Sequence, residues 1–259
     1  MILPAAELVK AMHEFLWPFM RVSALLLAAP VFGTRLVPVR VRIVIALILT
    51  WVIVPLLPDM PVLDVLSLPA LLLIAQQVLI GLSIGFALQL IFNALIIAGE
   101  NIAMSMGLGF ASMIDPQNGV NVPVLSQFFV IIATLIFLSL NGHLAIISLL
   151  VKSFELMPIQ GAGLAREAYW TVASWASEML IGAVRIALPV VAATLIAYLA
   201  LGVMTRAAPQ LNVFSVGFPV ILLFGFVVLG LTMPSFLPAF TELLDRGIGM
   251  IGTLFLVSP

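Results

Sequence analysis

The chain has 259 residues, of which 64% are hydrophobic and 8% are charged, whereas soluble domains contain about 25% charged residues. Its mean hydropathy is +1.32, so a soluble globular fold is excluded. Ten Lys and Arg stand against eleven Asp and Glu, and this balance provides no excess of cations for binding a nucleic acid. The chain has no cysteine and only two histidines, so we expect no disulfide, cofactor or metal site.

The N-terminal apolar stretch predicts a retained segment rather than a cleaved signal peptide. Residues 1–7 contain no basic residue, and Arg21 lies within the apolar stretch. A signal peptide has its positive charges ahead of the apolar region.

Apolar runs predict an all-α polytopic membrane protein. A helix that crosses the hydrocarbon core needs about 20 mainly apolar residues. Long runs without alternation favour helices over barrel strands, because helices satisfy their backbone groups internally. The chain contains seven such segments: Phe15–Phe32, Ile43–Leu57, Ala70–Ala98, Val124–Leu150, Tyr169–Val203, Val213–Met233 and Ala239–Val257.

Basic residues predict the sidedness of these segments. Arg35, Arg40 and Arg42 lie in the first linker, and Arg206 follows the fifth segment. The positive-inside rule assigns both linkers to the cytoplasm. With seven segments, this parity predicts an N-terminus outside the cytoplasm.

The third segment carries small and amide residues at every fourth position. This spacing puts them on one helical stripe along which another helix can approach closely. Ordinary helix packing and a water-facing channel wall are both compatible with such a stripe. Its members are Gln77, Gly81, Gly85, Gln89 and Asn93.

Residues 81–85 also match the G-x-S-x-G pattern of serine hydrolases, with Ser83 as nucleophile and His143 as a possible base. An intramembrane hydrolase is therefore one hypothesis. That motif requires a strand–turn–helix context, whereas here it lies inside a long apolar helix. We therefore favour helix packing.

Charged residues within apolar segments suggest a further alternative, a secondary transporter or channel of the inner membrane. Arg21, Glu178 and Arg185 lie in such segments, and Pro189 interrupts the fifth one. Broken helices and intramembrane charges form midplane binding sites in transporters. The sequence shows neither an inverted repeat nor a dense ionisable cluster.

The stretch from Glu100 to Pro123 is neither a plain span nor a solvated loop. It is rich in Met and Gly and contains the turn-forming pairs Asp115–Pro116 and Asn118–Gly119. Irregular backbone at membrane depth must be buried in protein or line an aqueous cavity. Flexible methionines suit a deformable constriction, while a loop packed on a partner is the alternative.

Residues 206–219 read RAAPQLNVFSVGFP. This stretch resembles the signature R-x-x-P-Q-x-N-V-F-x-V-G-F-P of the FliR family. Residues 29–33, 38–42 and 111–116 also agree with that family, so the resemblance covers nearly the whole chain.

The resemblance implies a non-enzymatic subunit of the flagellar type III protein export gate. One FliR-like chain would assemble with several FliP and FliQ chains, next to FlhB and FlhA homologues, around a pore for unfolded flagellar proteins. The expected fold consists of tilted helical hairpins, with a FliP-like part at residues 1–165 and a FliQ-like part at 166–259. The expected location is the inner membrane at the basal body, in contact with lipid and projecting toward the periplasm.

The resemblance also implies two groups of site residues. The first would plug or constrict the closed pore: Met104, Met106, Gly107, Phe110, Met113, Asp115 and Pro116. The second combines the stripe above with the signature turn as subunit interface: Arg206, Pro209, Gln210, Asn212, Phe214, Gly217, Phe218 and Pro219. Within the turn we expect Arg206 and Phe214 to contact a partner and Asn212 to cap the next helix.

Overall fold

The computed structural model describes residues 5–34, 37–58, 60–61, 63–64, 67–108, 124–159, 164–207 and 217–256. Within these ranges all regular structure is helical, which confirms the all-α prediction. A 3-10 turn at Val54–Leu56 extends the second helix. The α-helices are α1 Ala5–Ala28, α2 Val39–Ile53, α3 Leu68–Ser105, α4 Val124–Ser139, α5 Gly142–Leu156, α6 Arg166–Ala207 and α7 Phe218–Leu256.

The predicted segment Val124–Leu150 is not one continuous helix. Helix α4 ends at Ser139, and the chain bends by 67° before α5 begins at Gly142. Asn141 adopts the left-handed conformation with φ 57°, which ends a right-handed helix and which asparagine tolerates better than most residues. The ring of Phe137 fills the space where a side chain at position 142 would lie. This turn explains the break.

The prediction of separate sixth and seventh segments is also wrong. Helix α7 runs continuously from Phe218 to Leu256 through Pro234 and Pro238. A proline removes one backbone donor from the ladder, yet long apolar helices tolerate it when neighbouring groups satisfy the freed carbonyl. Pro234 and Pro238, which lie between the two predicted segments, therefore do not end the helix.

Four described helices are long and apolar enough to cross a membrane: α2 with its 3-10 turn, α3, α6 and α7. The bent pair α4–α5 raises the number to five if it counts as one span. The predicted location of the N-terminus outside the cytoplasm assumed seven spans, so it no longer follows. The polytopic membrane character itself is confirmed.

The chain forms two compact units. The first comprises residues 1–90, 137–176 and 245–259, and the second comprises 91–136 and 177–244. Trp17 is buried in the first unit and donates its indole N–H to the carbonyl of Pro61 at 3.2 Å. Phenylalanine rings from α3, α4 and α7 form the core of the second.

Exposure differs strongly between the helices. Helix α3 is the most buried of the candidate spans, with 44% of its most apolar stretch buried, whereas 17% to 22% of the corresponding stretches of α2, α6 and α7 is buried. These three helices carry large apolar side chains that are mostly exposed. Among them, Trp51, Leu199 and Leu231 are 72% to 76% exposed. Such extended apolar surface requires lipid or another protein against it.

Candidate functional site

Arg21 is the polar centre of the first unit. Its side chain is 0% exposed, and a guanidinium has five N–H donors to satisfy. Nε and Nη2 both donate to the amide oxygen of Gln77, while Nη2 also donates to the carbonyl of Met157 at 2.9 Å. Nη1 donates to the carbonyl and the hydroxyl of Ser153 at 2.7 and 3.2 Å. Five hydrogen bonds therefore match five donors.

The acceptors around Arg21 are all neutral, so the buried charge needs another source of stabilisation. Ser153 and Met157 contribute carbonyls at the C-terminal end of α5, where the helix dipole is negative. The guanidinium carbon also lies 4.2 Å from the centroid of the Phe154 ring, within the range of a cation–π interaction. Arg21 thus caps α5 from inside the protein and joins α1, α3 and α5.

The stripe on α3 packs against α1 of the same chain. A Cβ on Gly85 would lie 2.6 Å from the Cβ of Ala28, and one on Gly81 would collide with the carbonyl oxygen of Arg21. Only glycine allows this approach, and Gln77 continues the same contact through Arg21. Gln89 and Asn93 are partly buried farther along α3. The N-terminal part of the stripe, Gln77 to Gly85, therefore serves helix packing rather than a channel wall.

Ser83 does not occupy a nucleophile elbow. It lies within α3, and its hydroxyl donates to the carbonyl of Leu79 at 2.8 Å, one turn back in the same helix. The two glycines of the motif serve the contact with α1. Over the described residues, no group of three or more His, Asp or Glu is arranged to hold a metal ion.

A second close helix contact, between α3 and α4, lies in the second unit. A Cβ on Gly99 would lie 2.5 Å from the Cα of Ser126. The Ser126 hydroxyl donates to the carbonyl of Ile96 at 2.8 Å. The two helices that carry the ends of the 106–123 connection are therefore held close together. We did not predict this pair from the sequence, although small residues that flank a long apolar loop would have suggested it.

Helix α3 ends in a glycine cap at the start of the predicted plug. Gly107 has φ 82°, its N–H donates to the carbonyl of Met104, and the N–H of Leu108 donates to that of Ala103. These two bonds form a Schellman motif, in which glycine is favoured because the position is left-handed.

Residues from α6 and α7 surround this cap. A Cβ on Gly107 would lie 2.9 Å from Cε2 of Phe218 and 3.4 Å from the hydroxyl of Tyr198. Met106 is 0% exposed, and its Cγ would lie 2.6 Å from a Cβ on Gly225. The predicted plug residue Gly107 and the predicted signature residue Phe218 are thus brought together.

The remaining predicted site residues divide into two sets. Met104 is 70% exposed, Arg206 is exposed near the end of α6, Gly217 is buried in the turn before α7, and Pro219 lies exposed in the first turn of α7. The others lie outside the described residues: Phe110, Met113, Asp115, Pro116, Pro209, Gln210, Asn212 and Phe214.

A charged pair and a cleft lie between α6 and α7 in the second unit. Arg185 Nη1 and Glu242 Oε1 are 3.6 Å apart, and the two side chains are 59% and 54% exposed. Beside Arg185 is a cleft of about 180 Å³ lined by Pro189, Thr232 and Ser235 together with apolar side chains. The sequence placed Arg185 within an apolar segment without indicating its partner on α7.

Comparison with known proteins decides the family. Residues 12–247 match the family described as bacterial export proteins, family 1. The chain belongs to this family. It is 40% identical to the flagellar biosynthetic protein FliR of Pectobacterium carotovorum over 91% of this chain and 90% of that protein. FliR of Escherichia coli K12 is 39% identical over 96% and 95%, and FliR of Bacillus subtilis 168 is 35% identical over 83% and 84%.

The resemblance to the FliR family is therefore confirmed over nearly the whole chain. Family membership and the apolar helices together identify a membrane component of flagellar protein export. Such a component works with other proteins of the export apparatus.

Proposed function

We propose that this chain is a subunit of the flagellar type III export gate and forms, with FliP and FliQ homologues, the pore through which unfolded flagellar proteins leave the cell. The match to FliR proteins over nearly their whole length carries this proposal. In this role the chain is not an enzyme. It resides in the inner membrane at the basal body, projects toward the periplasm and contacts FlhB and FlhA homologues.

The exposed apolar surface of α2, α6 and α7 supports an obligate heteromer. Hydrophobic side chains that point outward along most of a long helix are stable only in lipid or against another protein. We propose a FliP-like part at residues 1–165 and a FliQ-like part at 166–259. In the assembly the signature turn at 206–219 and the distal stripe residues Gln89 and Asn93 contact neighbouring subunits.

The connection between α3 and α4 is the proposed plug of the closed pore. Its two ends are anchored, at one side by the Gly107 cap against Phe218 and at the other by the Gly99–Ser126 contact. An anchored base lets a Met-rich segment change shape while its ends stay in place. In this arrangement Met106 is an anchor, and the plug residues Phe110, Met113, Asp115 and Pro116, which lie outside the described residues, form the constriction.

Native mass spectrometry tests the proposal. The affinity-tagged chain is expressed with its genomic neighbours and extracted gently in detergent. We expect a complex with one copy of this chain and several FliP-like and FliQ-like chains. A stable monomer, or a homo-oligomer without these chains, would contradict the proposed function.

A further inference from the structure

A cleft of about 340 Å³ lies between α1, α2 and α3 in the first unit. Its volume falls within the range of about 300–1,000 Å³ that is usual for ligand pockets in proteins. Only Ser23 and Arg42 among its described lining residues are polar. The others are Phe19, Ala24, Leu27, Val39, Ile43, Ala46, Val78 and Leu82. The cleft is therefore an apolar groove with one cationic side chain in its wall.

The shape of the cleft suits a linear hydrocarbon chain. Ala24 and Ala46 are 6% and 1% exposed and leave depth at the floor, whereas Leu27 and Ile43 are 58% and 48% exposed at the rim. The lining residues of α2 lie at i, i+3, i+4 and i+7 from Val39, so the cleft follows one face of that helix for about 10 Å. A helix of another protein, about 10–12 Å across with its side chains, cannot enter this space.

Arg42 is fixed in the wall of the cleft by backbone groups. Its Nε donates to the carbonyl of Phe32 at 3.0 Å, and its Nη2 donates to the carbonyls of Thr34 and Val37 at 3.1 and 3.4 Å. These acceptors are neutral, so they hold the guanidinium in place without compensating its charge. Nη1, with two further N–H donors, takes part in none of these bonds.

The segments that line the cleft carry an excess of positive charge. Residues 15–58 contain four arginines and no Asp or Glu, and residues 68–99 contain no charged residue at all. Of the four arginines, Arg21 is satisfied in its buried network, whereas Arg40 is exposed in the same first turn of α2 as Arg42. The helix dipole is positive at this end as well. The cleft therefore opens into a region that attracts an anion.

The depth of Arg42 along α2 favours the headgroup of a lipid as that anion. The candidate span Val39–Leu56 has 18 residues and is about 27 Å long, close to the thickness of the hydrocarbon core of a bilayer. Its first turn then lies at the level of the headgroups, and Ala46 lies among the acyl chains. Basic pockets between membrane helices bind anionic lipid headgroups.

We propose that the cleft between α1, α2 and α3 binds one acyl chain of an anionic phospholipid whose phosphate is held by Arg42. The phosphate supplies the negative charge that this part of the chain lacks, and the acyl chain covers Leu27 and Ile43. This inference goes beyond the proposed export role. It does not depend on that role, because the site is formed within one chain.

Native mass spectrometry with added lipids tests the charge of the ligand. The full-length chain, with any subunits that co-purify, is stripped of lipid and titrated with phosphatidylglycerol or with phosphatidylcholine, which has no net charge. We expect one tightly bound phosphatidylglycerol and weaker phosphatidylcholine. Arg42→Gln should weaken phosphatidylglycerol binding about fivefold, the factor for one charge near a membrane surface.

Arg40→Gln is the matched control for Arg42→Gln. It removes the same charge from the same turn of α2, but residues two apart on a helix do not share a face, and Arg40 does not line the cleft. We expect it to weaken binding less than about twofold, since exposed charges are screened by salt. Equal losses in the two variants would indicate general attraction to anionic lipid and would overturn the proposal.

A second variant tests the cleft without changing any charge. Arg42 also bonds three carbonyls of the turn before α2, so Arg42→Gln alters that turn as well. Ser23→Phe fills the cleft from α1 and should weaken phosphatidylglycerol binding about tenfold or more, since burial of two or three methylene groups corresponds to that factor. Ser174→Phe, at an exposed position on α6, is the size-matched control. Circular dichroism and size-exclusion profiles check that all variants are folded.

Two further measurements identify the occupant. Glycerol 3-phosphate, which has the phosphate but no acyl chain, should bind much more weakly than the lipid and should be insensitive to Ser23→Phe. A photoreactive amino acid at Ile43, introduced in cells, should cross-link to phospholipid.

Four results would overturn the proposal: equal affinity for the two lipids, unchanged lipid binding in Ser23→Phe, glycerol 3-phosphate binding as tight as that of the lipid, or cross-links from Ile43 to a protein chain alone. The third would show a site for a free anion, and the fourth a site covered by another subunit. The proposed function stands in each case, because it is tested separately by the subunits that co-purify.

Discussion

Gly107 ends helix α3 in a left-handed conformation against the ring of Phe218, with 2.9 Å between Cε2 of that ring and the position of a Cβ on the glycine. This contact links the start of the α3–α4 connection to the start of α7. Backbone conformation and limited space both require glycine here.

The first prediction concerns this contact. Gly107→Ala should lower the stability of the purified complex by about 1–2 kcal/mol, because the left-handed conformation is unfavourable by that amount for a residue with a Cβ. The clash between the new methyl group and Phe218 should destabilise the complex further. Thermal unfolding in detergent measures the loss. The matched control Gly202→Ala, on α6 with open space around it, should be neutral or slightly stabilising.

A double variant separates the two causes. Gly107→Ala/Phe218→Leu makes space for the methyl group but leaves the backbone strained, so we expect partial recovery. Complete recovery would show that the left-handed backbone contributes nothing.

The second prediction concerns the buried cation. Arg21→Met should destabilise the protein by roughly 1–3 kcal/mol or more, since the buried neutral groups that accept hydrogen bonds from the guanidinium lose their donors. Arg21→Met/Gln77→Leu should lose less than the sum of the single variants, because it also removes the orphaned amide. Denaturant titration or thermal melts give both values, with Lys152→Met as the exposed control; additive losses would contradict the network.

The third prediction tests the α1–α3 contact. Gly81→Leu should push the two helices apart and cost about 1–3 kcal/mol or more, as overpacking does in a close-packed core. The complex should then assemble in lower yield by native mass spectrometry. Gly230→Leu on α7 meets open space and serves as the size-matched control. Equal effects of both substitutions would argue against a specific contact at Gly81.

The fourth prediction concerns the plug. Deletion of residues 111–115 should raise the leakage of small ions through the assembled gate, because the constriction becomes too short to close the passage. Ion flux into vesicles that contain the purified complex measures it. A second variant replaces the same residues with Gly and Ser at unchanged length and tests whether the native side chains are needed. Unaltered leakage in the deletion variant would count against a plug.

The fifth prediction distinguishes export from hydrolysis. Ser83→Ala should leave motility and export unchanged, because its hydroxyl only bonds the carbonyl of Leu79 within α3. Ser126→Ala is the informative comparison, since that hydroxyl joins two helices and its loss should cost about 1 kcal/mol. Loss of export in Ser83→Ala with normal assembly would revive the hydrolase hypothesis.

Local sequence determined the helical class and most helix positions in this protein. Backbone groups in an apolar environment must bond within their own segment, so long apolar runs identify helices without any knowledge of their neighbours. The same reasoning placed the end of α3 too early, since the predicted segment ends at Ala98 and the helix continues to Ser105 before the cap at Gly107. It failed at Asn141, where a stretch predicted as one segment is divided into two helices, and at Pro234, which lies inside one helix that was predicted as two segments.

Only the tertiary structure decided which residues meet. The partners of Arg21 lie 56, 132 and 136 residues away along the chain, and hydropathy carries no information about contacts over such separations. Gly107 and Phe218, or Arg185 and Glu242, are likewise joined by the way helices from distant parts of the chain pack. A sequence pattern specifies which face of a helix is suited to close contact, but the partner depends on shape and hydrogen bonds that exist only when all helices are in place.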